Sequence, residues 1–330
     1  MTGQAELSCT ASAMVAAGKG LLAADESTAT MSSRLSAAGV APTQENRRAY
    51  RELLVTTPGL AEGISGVILC DETFRQSTSD GRPFPLALAE IGMLPGIKVD
   101  HGARPLAAAP GETVTEGLDG LRERLAGYAA SGARFAKWRA VIAIGNGRPS
   151  ARARRANAHA LARYAALCQE AGIVPIVEPE VLMDGGHSMA ACAEATAATL
   201  VSVFGELADA GVELTGIVLK PNMVLPGQAS PESASPQQVA TATVGTLRSV
   251  VPADVAGIAF LSGGQSPARA TENLAAMQAF DLPWPLTFSF GRALVDPALA
   301  AWQGKPERVA AGQDALAARV LCNRAALRAA

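Results

Sequence analysis

Eight short apolar runs recur along the chain, separated by longer stretches in which small and apolar residues return with helical spacing. Such runs, too short and unbroken for helices, read as strands buried on both faces, the pattern of a parallel sheet. In chain order they are LLAAD ending at Asp25, GVILC ending at Cys70, GIKVD around Lys98, FAKWR around Lys137, VPIVEPE around Glu178, GIVLK ending at Lys220, GIAFLSGG ending at Gly264 and LTFSFGR ending at Arg292. Helices are expected in ENRRAYRELLVTT, EGLDGLRERLAGYAASGA, SARARRANAHALARYAALCQEAG and MAACAEATAATLVSVFGELADAG, two of them closed by a glycine. The Pro- and Ser-rich LPGQASPESASPQQ reads as a loop leading into a helix at SPQQ. Eight strand-then-helix units favour a closed barrel over an open sheet. The expected fold class is therefore α/β, a single (β/α)8 TIM barrel over residues 1–330 with extra N- and C-terminal helices.

Composition narrows the partners. With 28 basic against 30 acidic side chains the formal net charge is −2, which gives no electrostatic footprint for nucleic acid or an anionic membrane surface. No stretch is expected to reach the ~20 uncharged apolar residues of a membrane span. The start, MTGQAELSCTASAMVAAGKG, lacks a basic region ahead of an apolar one and reads as a short amphipathic helix, so a cytoplasmic protein is expected. Cys9, Cys70, Cys168, Cys192 and Cys322 are scattered and never in a C-x-x-C pair, and are expected to be buried and reduced. His101, His159 and His187 form no ligand motif, so neither a metal nor a cofactor is expected. Trp138, Trp284 and Trp302 are assigned to packing, and RPSARARR to the solvated face of a helix.

Charge inside the apolar runs is the informative feature, because a charged side chain there is costly unless it is paired or functional. Asp25, Lys98, Lys137 with Arg139, Glu178 with Glu180, and Lys220 all fall at the carboxyl ends of runs, the face on which barrel enzymes build their sites. Period-two spacing puts Lys137 and Arg139 on one side of their strand, and likewise Glu178 and Glu180. Only five lysines stand against 23 arginines, yet three of the five lie in these runs. An amine can lose its proton and attack a carbonyl, whereas a guanidinium stays protonated. Lys220 ends the most uniformly apolar of the three runs, and desolvation beside Lys137 would lower its pKa, making it the expected nucleophile. Glu178 or Glu180 would then move protons, with Asp25 a second acid/base. Competing structural readings stand beside these: Asp25 or Ser27 as a helix N-cap, and the Glu-Pro-Glu run as half of an ion-pair ring.

LSGGQS and SFGRAL follow the seventh and eighth runs, the recurring phosphate position of barrel enzymes. Ser262, Gly263 and Gly291 let backbone N–H groups approach an anion, and Arg292 adds a bidentate donor. GNGRPS, after the fourth run, reads as an ordinary turn before a helix.

Taken together, these segments resemble the class I fructose-bisphosphate aldolases, metal-free Schiff-base enzymes of glycolysis and gluconeogenesis. The resemblance runs through GKGLLAADEST, ENRRAYRELL, GVILCDET, DGRPFP, GIKVDHG, ETVTEGLDGL, GARFAKWR, GIVPIVEPE, VLKPNMVLPG, FLSGGQS, TFSFGRAL and AWQGK, nearly the whole chain. It implies that Lys220 forms the Schiff base, that Glu178 handles protons as it forms and hydrolyses, and that Asp25 takes the C4 hydroxyl proton. It implies supporting roles for Lys137 in carbinolamine chemistry and for Glu180 in the charge network. Ser262, Gly263, Gly291 and Arg292 resemble the pocket for the dihydroxyacetone-derived phosphate; Ser27, Thr30, Arg34 and Lys98 resemble contacts to the other phosphate, and Arg139 a further substrate contact. Sugar phosphates are the implied small-molecule partners, and a homotetramer the implied assembly.

The sequence departs from the family in places. Animal members carry a tail ending in a tyrosine that aids proton exchange on the enamine; here the sequence ends at Ala330 and the last tyrosine is Tyr164, so that role is expected to be missing or filled by another group. Thr30 stands where serine is common and keeps the hydroxyl. Phe290 in place of tyrosine and His101 in place of lysine are expected to alter pocket polarity, and so the preference between bisphosphate and monophosphate substrates. A different Schiff-base lyase and a non-catalytic binding scaffold are the alternative functions.

Overall fold

A computed structural model describes residues 3–328, so the outermost two residues at each end of the expected domain lie outside the described residues. The described residues form ten strands: β1 (Gly20–Ala24), β2 (Ile64–Leu69), β3 (Leu94–Lys98), β4 (Ala103–Pro105), β5 (Thr113–Thr115), β6 (Phe135–Ile142), β7 (Val174–Val181), β8 (Val218–Leu219), β9 (Ile258–Phe260) and β10 (Leu286–Phe290). Eight close into a parallel barrel in the order β1-β2-β3-β6-β7-β8-β9-β10, and β10 pairs back onto β1. These are the eight expected runs, closed as the (β/α)8 reading requires.

Strand parity builds the interior in layers. Inward positions at the lower end are apolar: Leu21, Phe135, Val174, Ile176, Val218 and Ala259 form one cluster. The helix Gly3–Met14 closes that end, adding Leu7, Ala11 and Met14 to the same cluster. Phe135 is accommodated because Gly96 has no Cβ, which would stand 2.2 Å from the ring. Outward positions such as Leu22, Val67, Leu69, Ala136 and Val177 pack beneath the surrounding helices. The C-terminal helix Val309–Ala326 lies against the helices Pro267–Met277 and Arg292–Trp302. Continuing the inward parity upward brings the charged residues into the mouth.

Several expectations need correction. The short antiparallel pair β4–β5 was not read from the sequence. The helix expected from Glu116 starts only at Leu121, behind Gly120 in the left-handed region at φ 63°. Cys9 and Cys322 are exposed, whereas Cys70, Cys168 and Cys192 are buried. Among the described residues one helix, Met189–Asp209, is long and apolar enough to cross a membrane by length and composition. It packs on the helix Ala151–Glu170 and on β7, supplying Leu200, Val203 and Leu207 to the core. Phe290 faces the helices, fully buried beside Phe288 with ring centroids 5.5 Å apart, so it does not bear on pocket polarity.

Candidate active site

The carboxyl ends of the strands surround a cavity of about 640 Å³. Its floor carries Asp25, Lys137, Glu178 and Lys220, all at least nine-tenths buried. Each continues the inward parity of its strand: Asp25 follows β1, Lys137 and Glu178 lie within β6 and β7, and Lys220 follows β8. The Lys220 N–H donates to Val177 O at 2.8 Å. Two residues on, Asn222 Oδ1 accepts from the Val181 N–H at 3.1 Å, so both sides of Lys220 are tied to β7.

The four side chains form a chain of opposite charges. Lys137 Nζ lies 2.9 Å from Asp25 Oδ2 and 2.8 Å from Glu178 Oε2, while Lys220 Nζ lies 3.1 Å from Glu178 Oε1. Burial works against every charge here, and the partners decide the outcome. Burial pushes the Lys220 amine below the usual lysine range; Glu178 resists and the neighbouring Lys137 adds to the push. Lys137 is pushed the same way by burial, but Asp25 and Glu178 together reverse the shift and raise it above that range. Burial would raise Asp25 and Glu178, yet the two lysines hold both below the usual carboxylate range. The arrangement can therefore supply an amine that loses its proton more easily than an ordinary lysine beside an ionised carboxylate, with a second ionised carboxylate fixed by a firmly held cation.

Above this layer Glu180 pairs with Arg139. Asp100, which the sequence reading did not single out although it ends the GIKVD run, organises the adjoining wall. Its Oδ1 accepts from Lys98 Nζ at 2.6 Å and from the Gly102 N–H at 3.0 Å, and its Oδ2 from the Arg139 N–H at 3.2 Å.

At one end, Ser262, Gly263, Gly291 and Arg292 come together on the cavity wall. Gly263 and Gly264 occupy the left-handed region at φ 60° and 96°, which leaves this loop free of side chains. A Cβ on Gly264 would stand 3.6 Å from the Arg292 guanidinium, so the loop and the arginine converge. Arg292 forms no ion pair among the described residues. Ser289, also missed, lines the same wall with a buried Oγ that has no hydrogen-bond partner among the described residues.

At the other end, Ser27 caps the helix Thr28–Ala37 by accepting from the Thr30 N–H at 3.3 Å, and the two hydroxyls are 3.0 Å apart. The N-cap reading thus holds for Ser27 while Asp25 belongs to the charged floor. Arg34 pairs with Glu26 and with Asp296, and the fully buried Arg51 holds Glu26 at 2.8 Å. His101 lines the cavity and is exposed. His159 sits on the surface, 3.0 Å from Glu206. Among the described residues no three His, Cys, Asp or Glu side chains converge to hold a metal ion.

Comparison with known proteins follows the same lines. The family model described as fructose-bisphosphate aldolase class-I matches residues 6–330. A protein of Xylella fastidiosa named "Probable fructose-bisphosphate aldolase class 1" is 57% identical over 298 residues, 90% of this chain and 89% of that one. Aldolase B of Gallus gallus is 51% identical over 325 residues, 98% of this chain and 89% of that one. The solved aldolase of Plasmodium falciparum, in complex with TRAP and a small-molecule inhibitor, superposes with a TM-score of 0.97 at 45% identity, over 99% of this chain and 95% of that one.

Proposed function

Since the chain belongs to the class I fructose-bisphosphate aldolase family, we propose that it performs the family's reversible cleavage of fructose 1,6-bisphosphate on the charged floor of the barrel, with Lys220 as the Schiff-base lysine. The products are dihydroxyacetone phosphate and glyceraldehyde 3-phosphate. The observation that carries the assignment is the position of Lys220: it is buried, lowered in pKa, and 3.1 Å from an ionised Glu178.

The neutral amine of Lys220 adds to the C2 carbonyl, and a proton relayed through Glu178 lets the carbinolamine lose water. Lys137, cationic between Asp25 and Glu178, keeps both carboxylates ionised for this exchange. The protonated imine withdraws electrons, Asp25 accepts the C4 hydroxyl proton, and the C3–C4 bond electrons flow into an enamine as the aldehyde leaves. Protonation of the enamine carbon and addition of water then release the ketone and restore the amine. Glu180 steadies Arg139 above the reacting carbons. Ser262, Gly263, Gly291 and Arg292 hold the phosphate on C1, with Ser27, Thr30, Arg34 and Lys98 towards the other phosphate.

The same reading makes residues 1–330 one barrel domain of a cytoplasmic homotetramer serving glycolysis and gluconeogenesis. An Arabidopsis thaliana relative, 50% identical over 308 residues, carries the word "cytosolic" in its name. Light scattering in solution tests the tetramer. The reaction is tested by assaying cleavage of fructose 1,6-bisphosphate with excess chelator present: retained turnover is expected, and its abolition would count against an imine mechanism.

A further inference from the structure

Arg34 stands between two concavities. On one side is the active-site cavity, whose wall includes Arg34, Glu26, Ser27 and Thr30. On the other is a shallow cleft of about 390 Å³ between the helices Thr28–Ala37 and Arg292–Trp302, lined by Arg34, Asp296 and Leu299. The guanidinium reaches into both: it pairs with Glu26, a residue of the cavity wall, and with Asp296 Oδ1 in the cleft at 2.5 Å. Glu26 is already matched by Arg51, whose side chain is 1% exposed. Asp296 therefore adds a carboxylate beyond what the inner pairing needs.

The two ends of the cavity consequently offer an anion different things. At the glycine loop a phosphate meets Arg292, which has no ion-pair partner among the described residues. At the far end it meets Arg34 with two carboxylates attached, and Lys98 already bound to Asp100. An incoming dianion has to compete for Arg34. Asp296 is the partner that can yield, because its side chain is 51% exposed and water can solvate it when displaced, whereas Glu26 is 14% exposed and held by Arg51.

We propose that Asp296 is a positioning residue that draws Arg34 towards the outer cleft and so reduces what the enzyme gains from a second phosphate, shifting its preference towards ketose 1-phosphates. It acts through Arg34 and, among the described residues, forms no ion pair or hydrogen bond with the four residues of the charged floor. The proposal rests on the aldolase reading above for its substrate, but concerns a residue that reading does not use.

The test compares the wild-type enzyme with Asp296→Ala and Asp296→Glu on a ketohexose 1,6-bisphosphate and the corresponding 1-phosphate. Calorimetric binding of the hexitol 1,6-bisphosphate and hexitol 1-phosphate, which have no carbonyl, runs in parallel. For Asp296→Ala the expected result is a KM for the bisphosphate lowered about fivefold, the scale of a half-exposed ion pair, with kcat and all monophosphate constants unchanged. Asp296→Glu restores the wild-type ratio. The proposal is overturned if the bisphosphate-to-monophosphate ratio does not move in Asp296→Ala, or if bisphosphate binding weakens because Asp296 had been holding Arg34 towards the phosphate. Should the wild type cleave neither ketose, the aldolase reading fails; the hexitol affinities still decide the role of Asp296, and an unchanged ratio between them overturns it.

Discussion

Lys137 and Lys220 are two lysines in one pocket, both almost wholly buried and both in contact with Glu178, yet they are held in opposite protonation tendencies. Depth cannot be the cause, since it is the same for both. The difference is in the carboxylates each touches: Lys137 contacts both Asp25 and Glu178, whereas Lys220 contacts Glu178 alone, feels Asp25 less than Glu178, and faces the charge of Lys137. One lysine is held more firmly as a cation and the other gives up its proton more easily than an ordinary lysine. A single pair of carboxylates, placed asymmetrically, converts equal burial into two chemical roles.

The largest effect is expected from Lys220→Ala, which removes the nucleophile while Glu178 keeps Lys137 as its counter-charge. Turnover should fall more than about a thousandfold with the circular dichroism spectrum unchanged; a retained rate above a few per cent would remove Lys220 from its role. Lys137→Met is expected to damage stability as much as rate. It leaves Asp25 and Glu178 buried without their main partner, a loss of about 3–5 kcal/mol readable by urea unfolding. It also removes the charge that helps to lower Lys220, so the pH profile of imine formation should move to higher pH.

Acid separates the groups further. Asp25 and Glu178 ionise more readily folded than unfolded, so the stability they carry is complete above about pH 4.5 and drains away as the pH falls below it. The contribution of Lys137, raised on folding, is complete below about pH 10.5 and is lost only as the pH climbs past it. Burying Lys220 instead costs stability at low pH, a cost relieved as the pH rises towards 10.5. Thermal melting should therefore decline below about pH 4.5, and Asp25→Asn should flatten that decline. Arg292→Ala has the smallest reach, because it lies outside the lysine pair: KM for phosphorylated ketoses should rise about tenfold to a hundredfold, with imine formation from an unphosphorylated ketose little changed.

What could be read from the chain follows from parity. A charged residue at the end of an apolar strand interrupts an otherwise buried run, so Asp25, Lys137, Glu178 and Lys220 stood out, and with them the eight strands. The family comparison misleads where parity does not: Phe290 was expected to alter pocket polarity because it stands where tyrosine is common, but it shares the outward parity of Phe288 and faces the helices. Asp100 ends the GIKVD run and could have been found by the same signal; Glu26 and Asp296 were not legible, because an acidic residue in a loop or on a helix looks like any solvated charge until a cation from elsewhere meets it. Asp296 is 262 residues from Arg34 along the chain. The β4–β5 pair was missed because its segments are short and partly exposed, without an apolar run to announce them.

The division of labour between the two lysines is tested most directly by reducing the protein with borohydride in the presence of dihydroxyacetone phosphate and a chelator, then mapping the modified peptide by mass spectrometry. The account predicts one adduct, on Lys220, with Lys137 unmodified. An adduct on Lys137, or none on a folded protein, would contradict it.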